Sequence, residues 1–267
     1  MRSRLALSFC CIAFALVSLV RVAAREMSPP KGAEIKTVQA DTVEHRDHKT
    51  VNVLFLKSWG VTSVWEDLKT NWSNYGKIPL SIDDTTYIDS DFTYQDLVNS
   101  KANVLVLSNP SGGTQQYTTA EFAAVSKYAK KGHPVIGTYL VFQWGDADNR
   151  ALAPVFGLRS GIEYNTTEVA ISNDFTKVKQ NQCLLKKISG KSWESAGYPY
   201  TEVPASGNWK GNLGKSKAIA QSDKYVGVIT TYTTKQYTGV FISNFAEYNG
   251  NTDDEQLLYN ASTCYVK

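Results

Sequence analysis

Three carboxylates are the residues in this sequence best suited to acid–base chemistry. Asp146 and Asp148 are separated by one residue within a short polar segment, and Glu247 follows a later apolar run. Two carboxylates about 5 to 9 Å apart across a cleft can hydrolyse a glycosidic bond. Glu247 with Asp146 or Asp148 is therefore one hypothesis for a hydrolytic pair. The alternative is that both aspartates belong to a turn, with Asp148 capping a helix that begins at Arg150.

A second set of polar and aromatic residues is suited to binding a ligand rather than transforming it. Amides and hydroxyls hydrogen-bond to sugar hydroxyls, while aromatic rings stack on the apolar face of a sugar. The candidate ligand-binding residues are Asn109, Ser111, Gly112, Gly113, Tyr139, Gln143 and Trp144. Their alternative role is structural, because loops are rich in Gly and Ser and protein cores contain packed aromatic rings.

Nucleophilic, metal and phosphate chemistry have weaker support. Ser111 has no base near it, and the histidines are His45, His48 and His133. An Asp-x-Asp pair is suited to Ca²⁺ or Mg²⁺, but the later loop ligands are missing, and no Cys/His spacing suits zinc. The two glycines after Ser111 lack the lysine of a phosphate-binding loop. We therefore predict no metal and no cofactor.

The N-terminal residues predict export from the cell. Arg2 and Arg4 precede an apolar run from Leu5 to Val20, and small residues lead up to Ala24. This order is typical of a cleaved signal peptide, here residues 1–24, and the apolar run is short for a membrane span. We expect a secreted, extracellular protein with no membrane span after cleavage.

Loss of the leader changes the charge of the chain. The full sequence has 28 Lys and Arg and 25 Asp and Glu. The leader carries three arginines and no acidic residue, so 25 basic residues remain against 25 acidic ones. A neutral mature chain has no general attraction to nucleic acid or to anionic membranes. The expected partners are instead a glycan or an extracellular protein.

Cysteines and glycosylation motifs agree with export. Cys183 and Cys264 remain after loss of the leader, and we expect them to form a disulfide. The alternative is a free nucleophilic thiol, but neither cysteine has a histidine near it in sequence. Three Asn-x-Ser/Thr sequons, which should lie at the surface if they carry glycans, begin at Asn71, Asn165 and Asn260.

The elements that position these residues alternate between strand and helix. Apolar, β-branched runs predict strands at 51–56, 78–82, 102–107, 135–141, 224–230 and 237–243. Helical spacing of apolar residues predicts helices at 61–75, 93–98, 119–132 and 252–261. Such alternation favours a parallel sheet covered on both faces, followed by a β-rich part. Residues 25–49 lack apolar periodicity, so we predict a flexible segment there. Residues 50–267 are predicted to form a single domain.

The element order resembles the class I glutamine amidotransferase-like fold and, within it, the trehalose-utilisation (ThuA-like) group. The matching segments are 104–113, 119–132, 135–139, 239–244 and 253–261. The resemblance spans roughly residues 50–265. It implies a flavodoxin-like parallel sheet with helices on both faces and a β-rich C-terminal part.

The sequence departs from this family at the catalytic positions. Active members place a cysteine on a sharp turn after a strand, in a Gly-x-Cys-x-Gly setting, with a histidine to activate it. The corresponding stretch here is 137–141, whose third residue is Tyr139, and only Glu247 matches the remaining triad. His133 is expected at the opposite end of the sheet from the strand carboxyl ends. The resemblance therefore implies a catalytically degenerate protein, a pseudoenzyme that binds a ligand or has a structural role.

Overall fold

The computed structural model describes the chain in segments from residue 49 to its end. The described residues are 49–57, 63–108, 116–144, 147–159, 169–174, 183–189, 192–197, 214–221, 226–243, 246–247 and 252–267. The predicted signal peptide and the flexible N-terminal segment therefore lie outside the described residues, apart from Lys49.

The first half of the described chain alternates strands and helices, as predicted. Its elements are β1 (Val51–Leu56), α1 (Ser63–Asn71), β2 (Leu80–Tyr87), α2 (Tyr94–Ser100), β3 (Val104–Leu107), α3 (Thr119–Ala129) and β4 (Val135–Thr138). A 3₁₀ turn, Trp72–Asn74, follows α1. β2 is longer than the predicted strand because its pairing with β1 continues as far as Tyr87.

The second half is mostly strand. Its elements are β5 (Gln143–Trp144), β6 (Ala147–Asp148), a 3₁₀ helix (Arg150–Phe156), β7 (Val169–Asp174), β8 (Ser192–Gly197), β9 (Lys217–Gln221), β10 (Val226–Thr233), β11 (Thr238–Ile242) and α4 (Thr252–Thr263). β5 and β6 form a separate antiparallel pair.

The other nine strands form one mixed sheet in the order β2-β1-β3-β4-β11-β10-β9-β7-β8. The strands from β2 to β11 in this order are parallel, and the remaining pairs are antiparallel. The predicted fold class, a parallel sheet with a β-rich C-terminal part, is confirmed. The order reverses at β1, which pairs with β2 on one side and β3 on the other. Ligands of such sheets bind at the strand carboxyl ends beside this reversal.

Helices cover both faces of the parallel part, because alternate residues of each strand face opposite sides. Val53 and Phe55 of β1 belong to the core shared with α1 and α4. Leu54 and Leu56 belong to the second core, with α2, α3 and the 3₁₀ helix. Among the described helices, none combines the length and apolar character that a bilayer span requires.

Capping boxes determine where α2 and α3 begin. The Thr118 side chain accepts a hydrogen bond from the Glu121 backbone N–H, and the Glu121 carboxylate accepts one from the Thr118 backbone N–H. Thr93 and Asp96 form the same reciprocal pair at the start of α2. Both starts agree with the sequence prediction and place the helix N-termini at the carboxyl edge of the parallel strands.

Candidate functional site

Glu247 lies after β11, at the carboxyl edge of the parallel strands, with 1% of its surface exposed. Its Oε1 accepts a hydrogen bond from the indole Nε1 of Trp65 in α1, at 2.7 Å. Its Oε2 accepts from the Oγ of Ser108 after β3, at 2.7 Å, and from the Oγ1 of Thr138 in β4, at 2.8 Å. One carboxyl group thus joins a helix, two strand ends and the segment after β11.

The surroundings of Glu247 shift the pKa of its carboxyl group upward. Burial raises the pKa of Glu247 above its ordinary value of 4.5, and the bonds from Ser108, Trp65 and Thr138 oppose this shift without cancelling it. Among the described residues, no ion pair includes Glu247. Buried polar groups of this kind depend on hydrogen bonds for their stability. Both oxygens are occupied, so Glu247 does not face an open cleft in this conformation.

Tyr139 is the residue at which β4 turns away from the sheet. The strand ends at Thr138 instead of continuing to 141, because Tyr139 has a φ of 48°. Bulky residues rarely adopt positive φ, and the surrounding structure must stabilise it. The Tyr139 N–H donates to the carbonyl oxygen of Ile242 in β11, at 2.7 Å. A strained strand-to-turn residue of this kind is the geometry that presents a nucleophile in elbow-type active sites.

The side chain at this elbow is a buried phenol. Tyr139 is 5% exposed, so its ring is packed inside the protein in this conformation, and its contact with a ligand stays a prediction. Gly137, two residues earlier, has a packing role, because a Cβ there would lie 2.6 Å from the ring of Phe156. Glycine is therefore required at position 137 because the 3₁₀ helix packs closely against the strand there.

Lys57, directly after β1, is a buried cation that was not among the predicted site residues. Its Nζ lies 2.7 Å from Asp91 Oδ1 and 3.0 Å from Glu121 Oε1. Burial lowers the pKa of Lys57, but the bonds to Asp91 and Glu121 outweigh this effect and leave the pKa raised. Because Glu121 also caps α3, this ion pair joins the end of β1 to the start of α3. A charged residue directly after an apolar strand was the signal available in the sequence.

Asp148 is paired with Arg150 at the start of the 3₁₀ helix, although the N-cap position of that helix is Asn149 and no side chain caps it. Its Oδ1 and Oδ2 accept hydrogen bonds from Arg150 Nε and Nη2, at 2.9 and 2.7 Å. The Arg150 backbone N–H also donates to Asp148 Oδ1, at 3.2 Å. The Arg150 side chain lowers the pKa of Asp148. Asp148 is exposed while Glu247 is buried, and they share no described partner, so the geometry does not support them as a hydrolytic pair.

Most other candidate ligand-binding residues cannot be placed. The ligand-binding candidates outside the described residues are Asn109, Ser111, Gly112 and Gly113, and the catalytic candidate Asp146 also lies outside them. Gln143 and Trp144 form β5, and their backbones pair with Asp148 and Ala147. The described segments contain no cluster of three or more side chains suited to hold a metal ion.

His133 lies just before β4, at the amino end of the parallel strands, as predicted. Its ring stacks on Tyr128, with 4.0 Å between the ring centroids. Burial lowers the pKa of His133. Since Glu247 and Tyr139 lie at the opposite edge, the only histidine of the described segments is not positioned to act with either of them.

The structure contains the predicted disulfide, between Cys183 and Cys264. Of the three sequons, Asn71 is exposed at the end of α1, and its Nδ2 donates to Asp67 Oδ1 at 2.7 Å. A glycosylated asparagine keeps one N–H, so this bond is compatible with a glycan. Asn165 lies outside the described residues.

The third sequon is a correction to our prediction. Asn260 is 4% exposed within α4. Its Nδ2 donates to the carbonyl oxygens of Leu184 and Lys186, at 2.8 and 2.7 Å. A glycan would replace one of these hydrogens and has no space at a buried side chain. The folded protein is therefore incompatible with a glycan at Asn260.

Comparison with solved structures identifies the fold. The chain resembles a ThuA-like protein from Parabacteroides merdae, with a TM-score of 0.50, 12% identity, and coverage of 82% of this chain and 92% of that chain. It also resembles the mmIFT52 N-terminal domain, with a TM-score of 0.51, 12% identity and coverage of 82% and 98%. A third match is the cytoplasmic protein STM1381 from Salmonella typhimurium LT2, with a TM-score of 0.53, 11% identity and coverage of 81% and 100%.

These likenesses confirm the predicted resemblance at the level of the fold. The chain has an α/β architecture similar to that of the ThuA-like protein from Parabacteroides merdae. Identities of 11 to 12% establish the fold alone and leave activity and ligand open. No protein-family model matches the sequence, and no curated protein matches it either.

Proposed function

We propose that this chain is a secreted, N-glycosylated binding protein on an amidotransferase-like fold, with a glycan as its ligand and no amidotransferase catalysis. The observation that carries the proposal is Tyr139 at the elbow after β4, with positive φ and a buried ring. An amide-hydrolysing elbow requires a reactive side chain that can reach the substrate, with a base beside it. A buried phenol does not meet this requirement.

The contacts of the candidate acids also favour binding over turnover. A general acid or base must reach the substrate directly or through one water. Glu247 is buried and both its oxygens accept hydrogen bonds from protein side chains. Asp148 is accessible, but its carboxylate is paired with Arg150. These contacts stabilise the edge of the sheet and leave neither group poised for catalysis.

The place of the predicted ligand residues in the sequence supports a binding site at the same edge. The segments that leave β3 and β4 carry Asn109, Ser111, Gln143 and Trp144. Carboxyl ends of neighbouring parallel strands meet at one edge, where such sheets bind ligands. Amides, a hydroxyl and an indole ring match the hydroxyls and apolar face of a sugar. The predicted leader and the exposed Asn71 sequon are consistent with an extracellular glycoprotein.

A glycan array with parallel enzyme assays tests this proposal. Full-length secreted protein is applied to the array and incubated with glycosidase substrates and with glutamine. We expect retention of a glycan on the array without turnover in solution. Trp144→Ala should weaken retention, whereas Asp148→Asn, which breaks the ion pair with Arg150, should leave it unchanged.

Two results would contradict the proposal. Turnover of a glycan or of glutamine that Glu247→Gln abolishes would show an active carboxylate and refute the non-catalytic assignment. An array on which the wild-type protein retains no glycan would refute the ligand class and favour an extracellular protein as the partner.

A further inference from the structure

A cavity of about 380 Å³ lies at the amino edge of the parallel sheet, opposite Glu247 and Tyr139. It is bounded by the residues before β2, by the last turns of α4 and by the segment 183–189 that the disulfide joins to α4. Its volume is within the range of small-molecule sites, about 300 to 1,000 Å³. No part of the function proposed above uses this cavity.

Among the described residues, the cavity is lined by three lysines, namely Lys77, Lys186 and Lys187, and by no acidic residue. The Nζ of Lys187 donates to the carbonyl oxygen of Tyr75, at 2.9 Å. Lys77 and Lys186 are exposed, and neither takes part in an ion pair among the described residues. The rim therefore offers ammonium groups whose positive charge is not neutralised by a described carboxylate.

The neutral polar groups of the lining are already hydrogen-bonded within the protein. The Gln256 amide donates to the carbonyl oxygen of Tyr75 and to Asn260 Oδ1. The Tyr259 hydroxyl donates to the carbonyl oxygen of Ile78 and accepts from its backbone N–H. These groups give the lining a fixed shape and leave the lysines as its available donors.

The remaining lining is apolar and tightly packed. The ring of Tyr259 approaches Gly76 so closely that a Cβ at Gly76 would collide with it. Ile78 and the disulfide-bonded residues Cys183 and Cys264 also line the cavity. A ligand that complements the cavity therefore has an apolar body, for this lining, and an anionic group, for the lysine rim.

Three acidic residues on the neighbouring helices, Asp67, Asp253 and Glu255, have hydrogen-bond partners of their own. The Tyr75 hydroxyl lies 2.5 Å from Asp67 Oδ2 and 2.6 Å from Glu255 Oε2. The Asp253 carboxylate accepts hydrogen bonds from the Ser189 backbone N–H and hydroxyl. None of these carboxylates lines the cavity, so they do not take the place of an anionic ligand.

We propose that this cavity is a binding site for small organic anions, in which Lys77 and Lys186 bind the anionic group and the Tyr259 ring and the disulfide contact the apolar body. Charge-assisted hydrogen bonds from ammonium groups are stronger than neutral ones and select for negative charge. The site is separate from the carboxyl edge, so its test is independent of glycan binding.

The test compares 1-naphthalenesulfonate with the neutral 1-naphthalenemethanol by isothermal titration calorimetry on the disulfide-bonded protein. We expect the sulfonate to bind and the alcohol to bind at least tenfold more weakly, about 1.4 kcal/mol. The double variant Lys77→Gln with Lys186→Gln should weaken sulfonate binding by about tenfold. Added NaCl should also weaken it, because salt screens exposed charges.

The matched control is Lys130→Gln with Lys131→Gln, which removes two exposed charges at the C-terminal end of α3 on the opposite face of the sheet. This control should bind the sulfonate as the wild type does. Equal binding of the alcohol, no binding of the sulfonate by the wild type, or equal losses in both double variants would overturn the proposal.

Thermal denaturation separates anion binding from a role of these lysines in stabilising a helix. If Lys77 and Lys186 only stabilised the end of α4, the double variant would have a lower melting temperature and would still bind the sulfonate. That result would also overturn the proposal.

Discussion

Replacement of Glu247 by alanine removes the acceptor of three buried hydrogen bonds at once. The donors are the Trp65 indole, the Ser108 hydroxyl and the Thr138 hydroxyl, at 2.7, 2.7 and 2.8 Å. They belong to α1, to the end of β3 and to β4. Loss of this acceptor therefore destabilises the contact between a helix and the centre of the sheet, not a single side chain.

The expected cost follows from the donors that are left unpaired. A buried donor without an acceptor costs about 1–3 kcal/mol. The N–H of the Trp65 indole ring has a fixed direction, whereas a hydroxyl can rotate toward a new partner. We therefore assign a cost of about 2 kcal/mol to the unpaired Trp65 N–H and about 1 kcal/mol to each hydroxyl. Glu247→Ala should thus lower the free energy of unfolding by about 4 kcal/mol. With a urea m-value of about 2.5 kcal/mol per M, the midpoint falls by about 1.6 M.

Glu247→Gln should behave differently, because glutamine resembles the protonated acid. The pKa of Glu247 is raised in the folded protein, so the wild type loses stability as pH rises from about 4.5 through the folded pKa. Glutamine has no such titration. At pH 7 the glutamine variant should match or exceed the wild type in stability, and the difference should vanish below pH 4.5.

Urea unfolding followed by tryptophan fluorescence at pH 4 and pH 7 measures these effects. Glu66→Gln is the control, because Glu66 is an exposed carboxylate adjacent to Trp65 in α1, and surface changes usually stay within about 0.5 kcal/mol. A Glu247→Ala variant as stable as Glu66→Gln would refute the assignment of Glu247 as a structural acceptor. A glutamine variant that is less stable at pH 7 than at pH 4, relative to wild type, would refute the charge argument.

Three further predictions concern other parts of the chain. Replacing Cys183 and Cys264 by serine should lower the free energy of unfolding by about 4.5 kcal/mol, since the bond spans 81 residues, and reduction of the wild type should reproduce the loss in chemical denaturation. Lys57→Met should cost about 3–5 kcal/mol in the same assay, because it leaves a buried carboxylate without its cation; a loss below 1 kcal/mol would contradict this role. Peptide mass spectrometry of the secreted protein should find a glycan at Asn71 and none at Asn260, and an occupied Asn260 would contradict the structure.

Local sequence was sufficient for the main elements of the fold. The capping box at Thr118, the apolar run of β1 and the acidic start of α4 are interactions within one turn or one strand, and each predicted element is present. The predicted end of β4, residue 141, lies beyond its observed end at Thr138. Its apolar pattern continues to Val141, but Tyr139 has a positive φ and its N–H bonds to Ile242 in another strand, neither of which the pattern indicates.

The candidate site was predictable only in part, because its contacts join distant segments. The family resemblance drew attention to Glu247 and Tyr139, yet their burial was not visible in the sequence. Trp65 and Glu247 are 182 residues apart, and no local pattern indicates that one donates to the other. Lys57 likewise forms ion pairs with residues that are distant from it in the sequence, Asp91 and Glu121.

The sequence by itself determined the alternation of strands and helices from β1 to β4, the starts of α2 and α3, the cysteine pair and the balance of charge, because these depend on neighbouring residues or on composition. Only the tertiary structure decided which polar groups are buried and which remain available. Asn260 has the same motif as Asn71 but lies in the core, and Glu247 accepts bonds from three elements instead of facing a substrate. The free energy of a polar side chain depends on what surrounds it in space, and that is determined when distant segments pack together.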